Sequence, residues 1–209
     1  MVDKTTTRAR NPRGEGARLR DDIVAAAVDL LDETGDEGAV TLRAVARRVG
    51  IAAPSIYRHF PDQPSIMMAV VRQAFAELEA GLLAALASAG DDPRRRLFTL
   101  GEAYLEFAQR HPGRYRTMFG GLWMPDLAET ALTEADLASL GDASMKLLVD
   151  ALDACVRAGI ATSDDLSADA VALWIGLHGL AHQRAVTVAY PWPADIAERI
   201  ITALAHLRP

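Results

Sequence analysis

TLRAVARRVGIAAPSIYRHF, residues Thr41 to Phe60, carries two short apolar-periodic segments around a glycine, with four arginines and no acid. Thr41 offers a hydroxyl as N-cap to the first segment. Leu42, Val45, Ala46 and Val49 recur at i, i+3, i+4 and i+7, the buried stripe of one helix. Gly50 follows where a left-handed backbone ends a helix at least cost. Ile51 is placed to fill the gap between the segments. Pro54 suits the first turn of a second helix, where an N–H has no intrahelical acceptor. Ile56 and Phe60 then turn inward, Ser55, Tyr57, Arg58 and His59 turn outward, and Pro61 stops the helix. Basic, acid-free helices around such a turn predict a helix-turn-helix whose second helix enters a DNA groove. The competing reading is an ordinary helical hairpin with solvated arginines.

Charge is divided along the chain. The 209 residues carry a net charge of −6 with a pI near 5.4, which by itself argues against nucleic acid. Residues 1–20 hold six basic and two acidic side chains, however, and residues 38–60 hold four basic and none acidic. Residues 63–209 hold twelve basic and eighteen acidic groups. A positive end can meet phosphates while an acidic body resists non-specific adhesion. The length suits a small DNA-binding domain and a larger second one. One cysteine, Cys155, excludes an intrachain disulfide and fits a reducing cytoplasm. No stretch reads as a membrane span or as the apolar core of a signal peptide.

The expected organisation is all-α, about nine helices. Residues 1–16 read as a disordered basic arm, either reaching along DNA or simply solvated. Residues 17–62 form the helix-turn-helix domain, with a first helix from about Ala17 to Thr34. Asp62 caps a long helix to about Ala87, and Asp92-Pro93 opens another to about Arg110. His111-Pro112-Gly113 is a corner before a short helix with Tyr115, Met118 and Phe119. Thr133 and Asp136 form a capping box for a helix to Ala158, which Gly159 closes. Ser167 opens a helix to about Val188, and Pro193 opens the last.

The run T-x-R-x-x-A-x-x-x-G-I-x-x-P-S-I-Y-R-H-F, followed by Pro61-Asp62, resembles the tetracycline-repressor (TetR) family of bacterial transcription regulators over about Arg18 to Val70. Two positions depart from that pattern. Ala52 stands where the family usually has a serine or threonine, and Gln63 where a phosphate-binding lysine is common. AYLEFAQRHPGRYRTMFG with ALWIGLHGLAHQRAV resembles, more loosely, the family's C-terminal domain with a Trp-His-Gly helix, here Trp174, His178 and Gly179. The resemblance implies a dimeric regulator, most simply a repressor, whose residues 63–209 sense a ligand and dimerise.

By that resemblance Arg43, on the outer face of the first helix of the motif, and Ala53, Pro54 and Ser55, at the leading end of the second, enter the major groove. Arg43 is the candidate for bidentate pairing with guanine. Ala53 and Pro54 offer apolar contact only. Ser55, Tyr57 and His59 suit phosphate, Arg58 suits either, and Thr41 belongs to the same surface. Arg47 and Arg48 suit backbone contacts or a solvated face. A two-fold dimer presents two such modules to half-sites about 34 Å apart, so the expected partner is a palindromic double-stranded operator.

The helix from Ser167 is apolar nearly all round, which demands burial on more than one side. Leu173, Gly176, Leu177 and Leu180, with Ile196, Ile200 and Leu204 of the last helix, are candidates for a four-helix intersubunit surface; monomer core is the alternative. Tyr104, Phe107, Tyr115, Met118 and Phe119 are candidates to line a cavity for a small hydrophobic effector, together with Trp123, Met124, Trp174 and His178. His178 and His182 share a helix face but lack the glutamate of a zinc-protease motif, so no metal or cofactor is expected. Cys155 reads as a packed thiol. No paired nucleophile and base points to an enzyme. A C-terminal domain that meets a protein partner instead of a small molecule is the remaining alternative.

Overall fold

The computed structural model describes residues 15–120 and 123–208. Most of the expected basic arm lies outside the described residues; Glu15 and Gly16 open the first helix. Among the described residues there are ten α-helices, one 3-10 turn and no strand beyond an isolated Ala161–Leu207 bridge. The helices are α1 (Glu15–Thr34), α2 (Leu42–Val49), α3 (Ala53–Ile56), α4 (Gln63–Ser88), α5 (Pro93–Arg110), α6 (Pro112–Phe119), α7 (Glu134–Ala138), α8 (Asp142–Arg157), α9 (Leu166–Val186) and α10 (Ile196–Leu204).

The sequence-based count of nine differs because the helix expected from Thr133 to Ala158 is two. Thr133 and Asp136 do form the capping box of α7. The backbone then turns at Gly141, φ 82°, into α8. A Cβ there would stand 2.8 Å from the Phe75 ring, so this left-handed corner has neither the conformation nor the space for a side chain.

Two compact units partition the chain. The first comprises the described residues up to Val70 together with Pro125–Leu132, and the second comprises Val71–Met124 with the remainder from Thr133. The division falls eight residues beyond the Asp62 boundary read from sequence, because the opening turns of α4 bury Ile66, Met67 and Val70. The first unit encloses these with Ile23 and Ala27 of α1, Val45 of α2, Ile56 of α3 and Phe60. The second packs α5 against α8, α9 and α10, with α8 also against α9. Leu97, Leu152, Leu173 and Ile201 lie fully buried there. No helix among the described residues is long and apolar enough to cross a membrane.

Asp62 ties the first unit together. Its Oδ1 accepts the Ser65 N–H at 2.8 Å, an N-cap on α4, and also the Ser65 hydroxyl. Its Oδ2 accepts the Thr130 hydroxyl at 2.9 Å and the Ala131 N–H at 3.0 Å. Burial raises the pKa of this carboxyl, but the four donors together outweigh it, and the pKa lies below its ordinary 3.8. A carboxylate with a depressed folded pKa stabilises above its unfolded value and loses that contribution as pH falls through the folded one. Asp62→Ala is therefore expected to cost about 1 kcal/mol at pH 7. The difference from the parent should shrink at pH values below 3.8. Urea midpoints of both proteins across that range check it; a pH-independent difference would remove the carboxylate from the explanation.

Candidate functional site

The turn between α2 and α3 is built from local chemistry. The Thr41 hydroxyl accepts the Ala44 N–H at 3.1 Å. Gly50 has φ 78°, and the Ile51 N–H closes back on the Ala46 carbonyl at 3.0 Å. Ala52 gives α3 no side-chain cap. With Pro54 in its first turn, α3 stays regular only to Ile56. The chain then tightens: the His59 and Phe60 N–H groups both reach the Ile56 carbonyl at 2.9 Å. The helix expected to Phe60 is thus one α-helical turn followed by a tight turn.

This geometry leaves a polar face. Thr41, Arg43, Arg47, Pro54, Tyr57 and Arg58 are exposed, while Ala53, Ser55 and His59 are half-buried. Tyr57 keeps 53% of its surface although its ring is apolar. Arg48 differs from its neighbours: it is paired bidentately with Glu33 of α1, through Nη1 to Oε1 at 2.8 Å and through Nη2 to Oε2. No ion pair among the described residues involves Arg43, Arg47 or Arg58. Gln63 turns its amide onto the Glu37 carbonyl at 3.0 Å. That side chain is engaged within the unit.

The second unit contains a cavity of about 280 Å³. Phe75, Leu78 and Leu82 of α4, Leu100 and Tyr104 of α5, Phe119 of α6, and Trp174 and Leu177 of α9 form most of its wall. Leu140, Gly141 and the first turns of α8, from Asp142 to Leu148, close another side. Of the nine residues expected to line a cavity, Tyr104, Phe119 and Trp174 do so. Phe107 is instead buried in the core and packs on the His111 ring. Met118 is half-buried against that core, Trp123 is half-buried, and Met124 is 81% exposed. Aromatic and methionine side chains were singled out by type, and type does not fix direction from a helix.

Tyr115 and His178 stand behind the wall. The Tyr115 hydroxyl lies 2.7 Å and the Tyr104 hydroxyl 3.2 Å from His178 Nδ1. Burial, with His182 nearby, pushes the His178 pKa down, and burial pushes both tyrosines up. The imidazole is therefore neutral and the phenols protonated at pH 7, and Nδ1 shares its one hydrogen-bonding position between the two hydroxyls. The cluster fixes the Tyr104 ring at the cavity edge. His182 is exposed, and the described residues hold no group of three metal-ligating side chains. Cys155 is buried with Sγ 3.3 Å from the Pro93 carbonyl, and burial raises its thiol pKa.

Three of the intersubunit candidates are core residues of the chain itself. Leu173, Leu177 and Leu180 are buried in the chain's own core. Gly176 is a close-approach point within the chain: a Cβ there would collide with Leu204 and stand 3.0 Å from Ile200 Cγ2. Ile196, Ile200 and Leu204 are half-buried against the same core. The outward stripe of α9 is different, with Val171, Ile175 at 57% exposure, Gly179 and Val186. A Cβ at Gly179 would meet nothing within 4 Å. An all-round apolar helix signals two buried sides without telling which residue serves which.

Comparisons with known proteins fit this architecture. Residues 23–69 match the model described as bacterial regulatory proteins, tetR family, and residues 97–207 match the tetracyclin repressor-like C-terminal domain. A nucleoid occlusion factor SlmA from Aliivibrio fischeri (strain MJ11) is 27% identical over 101 residues, 48% of this chain and 51% of that protein. The chain spans about half the length of the curated relatives it matches. A protein of Rhodococcus sp. RHA1 superposes with TM-score 0.70 at 26% identity, covering 97% of this chain and 95% of that one. The Bacillus subtilis transcriptional regulator FadR, solved with stearoyl-CoA, superposes with TM-score 0.69 at 11% identity, covering 88% and 97%, a likeness of fold. With one family model matching its amino-terminal unit and another matching more than half of its length, this chain belongs to the TetR family of bacterial regulatory proteins.

Proposed function

We propose that this chain is a sequence-specific transcriptional regulator, not an enzyme, that represses from a palindromic DNA operator in the bacterial cytoplasm and is released by a small hydrophobic effector. The observation that carries the DNA role is the acid-free face around the Gly50 turn, where Arg43, Arg47 and Arg58 lack ion pairs beside exposed Tyr57. Residues 17–62 read the operator, with Arg43, Ala53 and Pro54 at the bases, Thr41, Ser55, Tyr57 and His59 at the backbone, and Arg58 at either. Residues 63–209 sense and dimerise. The outward stripe Val171, Ile175, Gly179 and Val186 supports a homodimer, since an exposed apolar face on one helix is costly in water. The cavity favours a small molecule over a protein partner, because its apolar wall suits a compact ligand. Release follows if the effector binds the DNA-incompetent state more tightly, and only by that difference.

The test is footprinting of the purified protein on the DNA upstream of its own coding sequence. A protected palindrome supports the reading, and its absence on every such fragment opposes it. Tyr57→Phe is expected to weaken binding by a similar factor on matched and mismatched operators, because a lost phosphate contact carries no base information. A base-selective loss, read by titration on single-base operator variants, would contradict that role.

A further inference from the structure

Among the described residues one charged residue lines the cavity, and it is an acid. Asp142, in the first turn of α8, is exposed and stands where the cavity meets an adjoining cleft of about 240 Å³. Phe75, Leu140 and Gly141 also line both spaces, so the cleft is the mouth of the cavity. Glu79 of α4 lines the cleft as well and is half-buried. No ion pair among the described residues involves Glu79 or Asp142. The cations nearby are already engaged. Arg72, on the cleft, is bonded to Asp136 at 2.8 Å. Lys146, one turn along α8 from Asp142, meets both Asp150 oxygens at 2.8 Å. The mouth therefore holds two carboxylates without a counter-charge. The start of α8 offsets Asp142 by roughly half a charge, whereas Glu79 lies mid-helix, where no such offset exists.

The other feature of this space is aromatic. Phe75 lines both the mouth and the cavity and meets Phe119 edge-on, with ring centroids 5.6 Å apart. Phe119 in turn lies 6.0 Å from Trp174, so rings run from the mouth along the wall. Ring faces attract cations, and more strongly where water is excluded. No lysine, arginine or histidine lines the cavity among the described residues. An anion entering here would lose water and meet only like charge.

We propose that the cavity selects an organic cation, a quaternary ammonium or protonated amine on an apolar body, and that it rejects anions. The body packs among Phe75, Phe119 and Trp174, and the charged head stays at the mouth with Glu79 and Asp142. This deepens the reading of the cavity as the effector site and rests on it. A head at the opening keeps part of its water, so its binding does not incur the desolvation of a fully buried charge.

The experiment is calorimetric titration of the full chain, without DNA, at pH 8 and low salt. The probes share one ten-carbon tail: decyltrimethylammonium, 1-decanol and decanoate, each below its micelle concentration. Decyltrimethylammonium is expected to bind at least about tenfold more tightly than decanoate, with decanol between them. The double variant Glu79→Gln, Asp142→Asn keeps the shape of the mouth and removes its charge. It should weaken the cation by about tenfold and change decanol by less than about twofold. In the parent protein, raising sodium chloride to about 0.5 M should weaken the cation severalfold and leave decanol unaffected. Decyltrimethylammonium failing to bind, decanol or decanoate binding as tightly, a cation affinity unmoved by salt, or one unaltered in the double variant would each overturn the assignment. A mobility-shift assay with decyltrimethylammonium present separates the two levels. A cation that binds through these carboxylates without releasing DNA supports the selectivity and removes the effector role.

Discussion

Arg43→Ala is expected to weaken operator binding by about tenfold to a hundredfold or more and to relax base preference at one position in each half-site. A good bidentate contact to guanine discriminates by about 1–3 kcal/mol, and in the proposed dimer two copies would act on one palindrome. The argument rests on contrast within one helix. Arg43 and Arg48 are both on α2, yet Arg48 is held by Glu33 while Arg43 is exposed and outside every described ion pair. Arg48→Ala should therefore change stability little, as the loss of an exposed pair does, and leave base preference intact. Fluorescence anisotropy against every single-base variant of the protected palindrome separates the two. If Arg43→Ala lowers affinity equally on all variants, the residue is a backbone contact and the groove-reading role passes to another side chain.

Phe60→Ala is expected to cost about 3–5 kcal/mol in the unfolding of the first unit, with DNA binding lost alongside. Phe60 is 1% exposed, and it closes the tight turn that follows α3. The Arg20 guanidinium lies 4.4 Å over its ring, so truncation removes a cation–π contact as well as packing. Phe60→Leu keeps most of the volume and should cost less than about 1.5 kcal/mol. Urea unfolding followed by circular dichroism gives both values. Near-equal stability of the alanine variant and the parent would mean that the ring does not hold this core together.

Much of the amino-terminal unit was legible because its signals are local. Thr41 caps, Gly50 turns and Asp62 caps again, each through contacts within a few residues, and periodicity places Val45, Ile56 and Phe60 inside. The same locality makes Asp92 and Thr133 readable as helix starts. Gly141 was missed because Leu140-Gly141-Asp142 sits inside an apolar-periodic run, and only its left-handed φ and the nearness of Phe75 reveal a corner. The cavity was least legible. Its wall comes from α4, α5, α6, α8 and α9, and no spacing along the chain reports that Phe75 faces Trp174's helix across a void. Choosing residues by aromatic or methionine type found Tyr104, Phe119 and Trp174 but passed over the leucines of the wall, Leu78, Leu82, Leu100 and Leu177. On α9 an all-round apolar composition signalled burial on more than one side without telling which residue serves which. The leucines serve the core, and Val171 and Ile175 face outward.

The lone thiol has a practical corollary for spectroscopy. Cys155 is sealed behind Pro93, and its raised pKa leaves little thiolate near neutrality, so alkylating reagents should pass it by. A cysteine introduced at exposed Asp22 of α1 would then be the sole fast-reacting handle on the native background. In the proposed dimer, nitroxides attached there would report the spacing of the paired reading heads by pulsed dipolar measurement, with and without operator, and without any prior substitution to silence the parent chain.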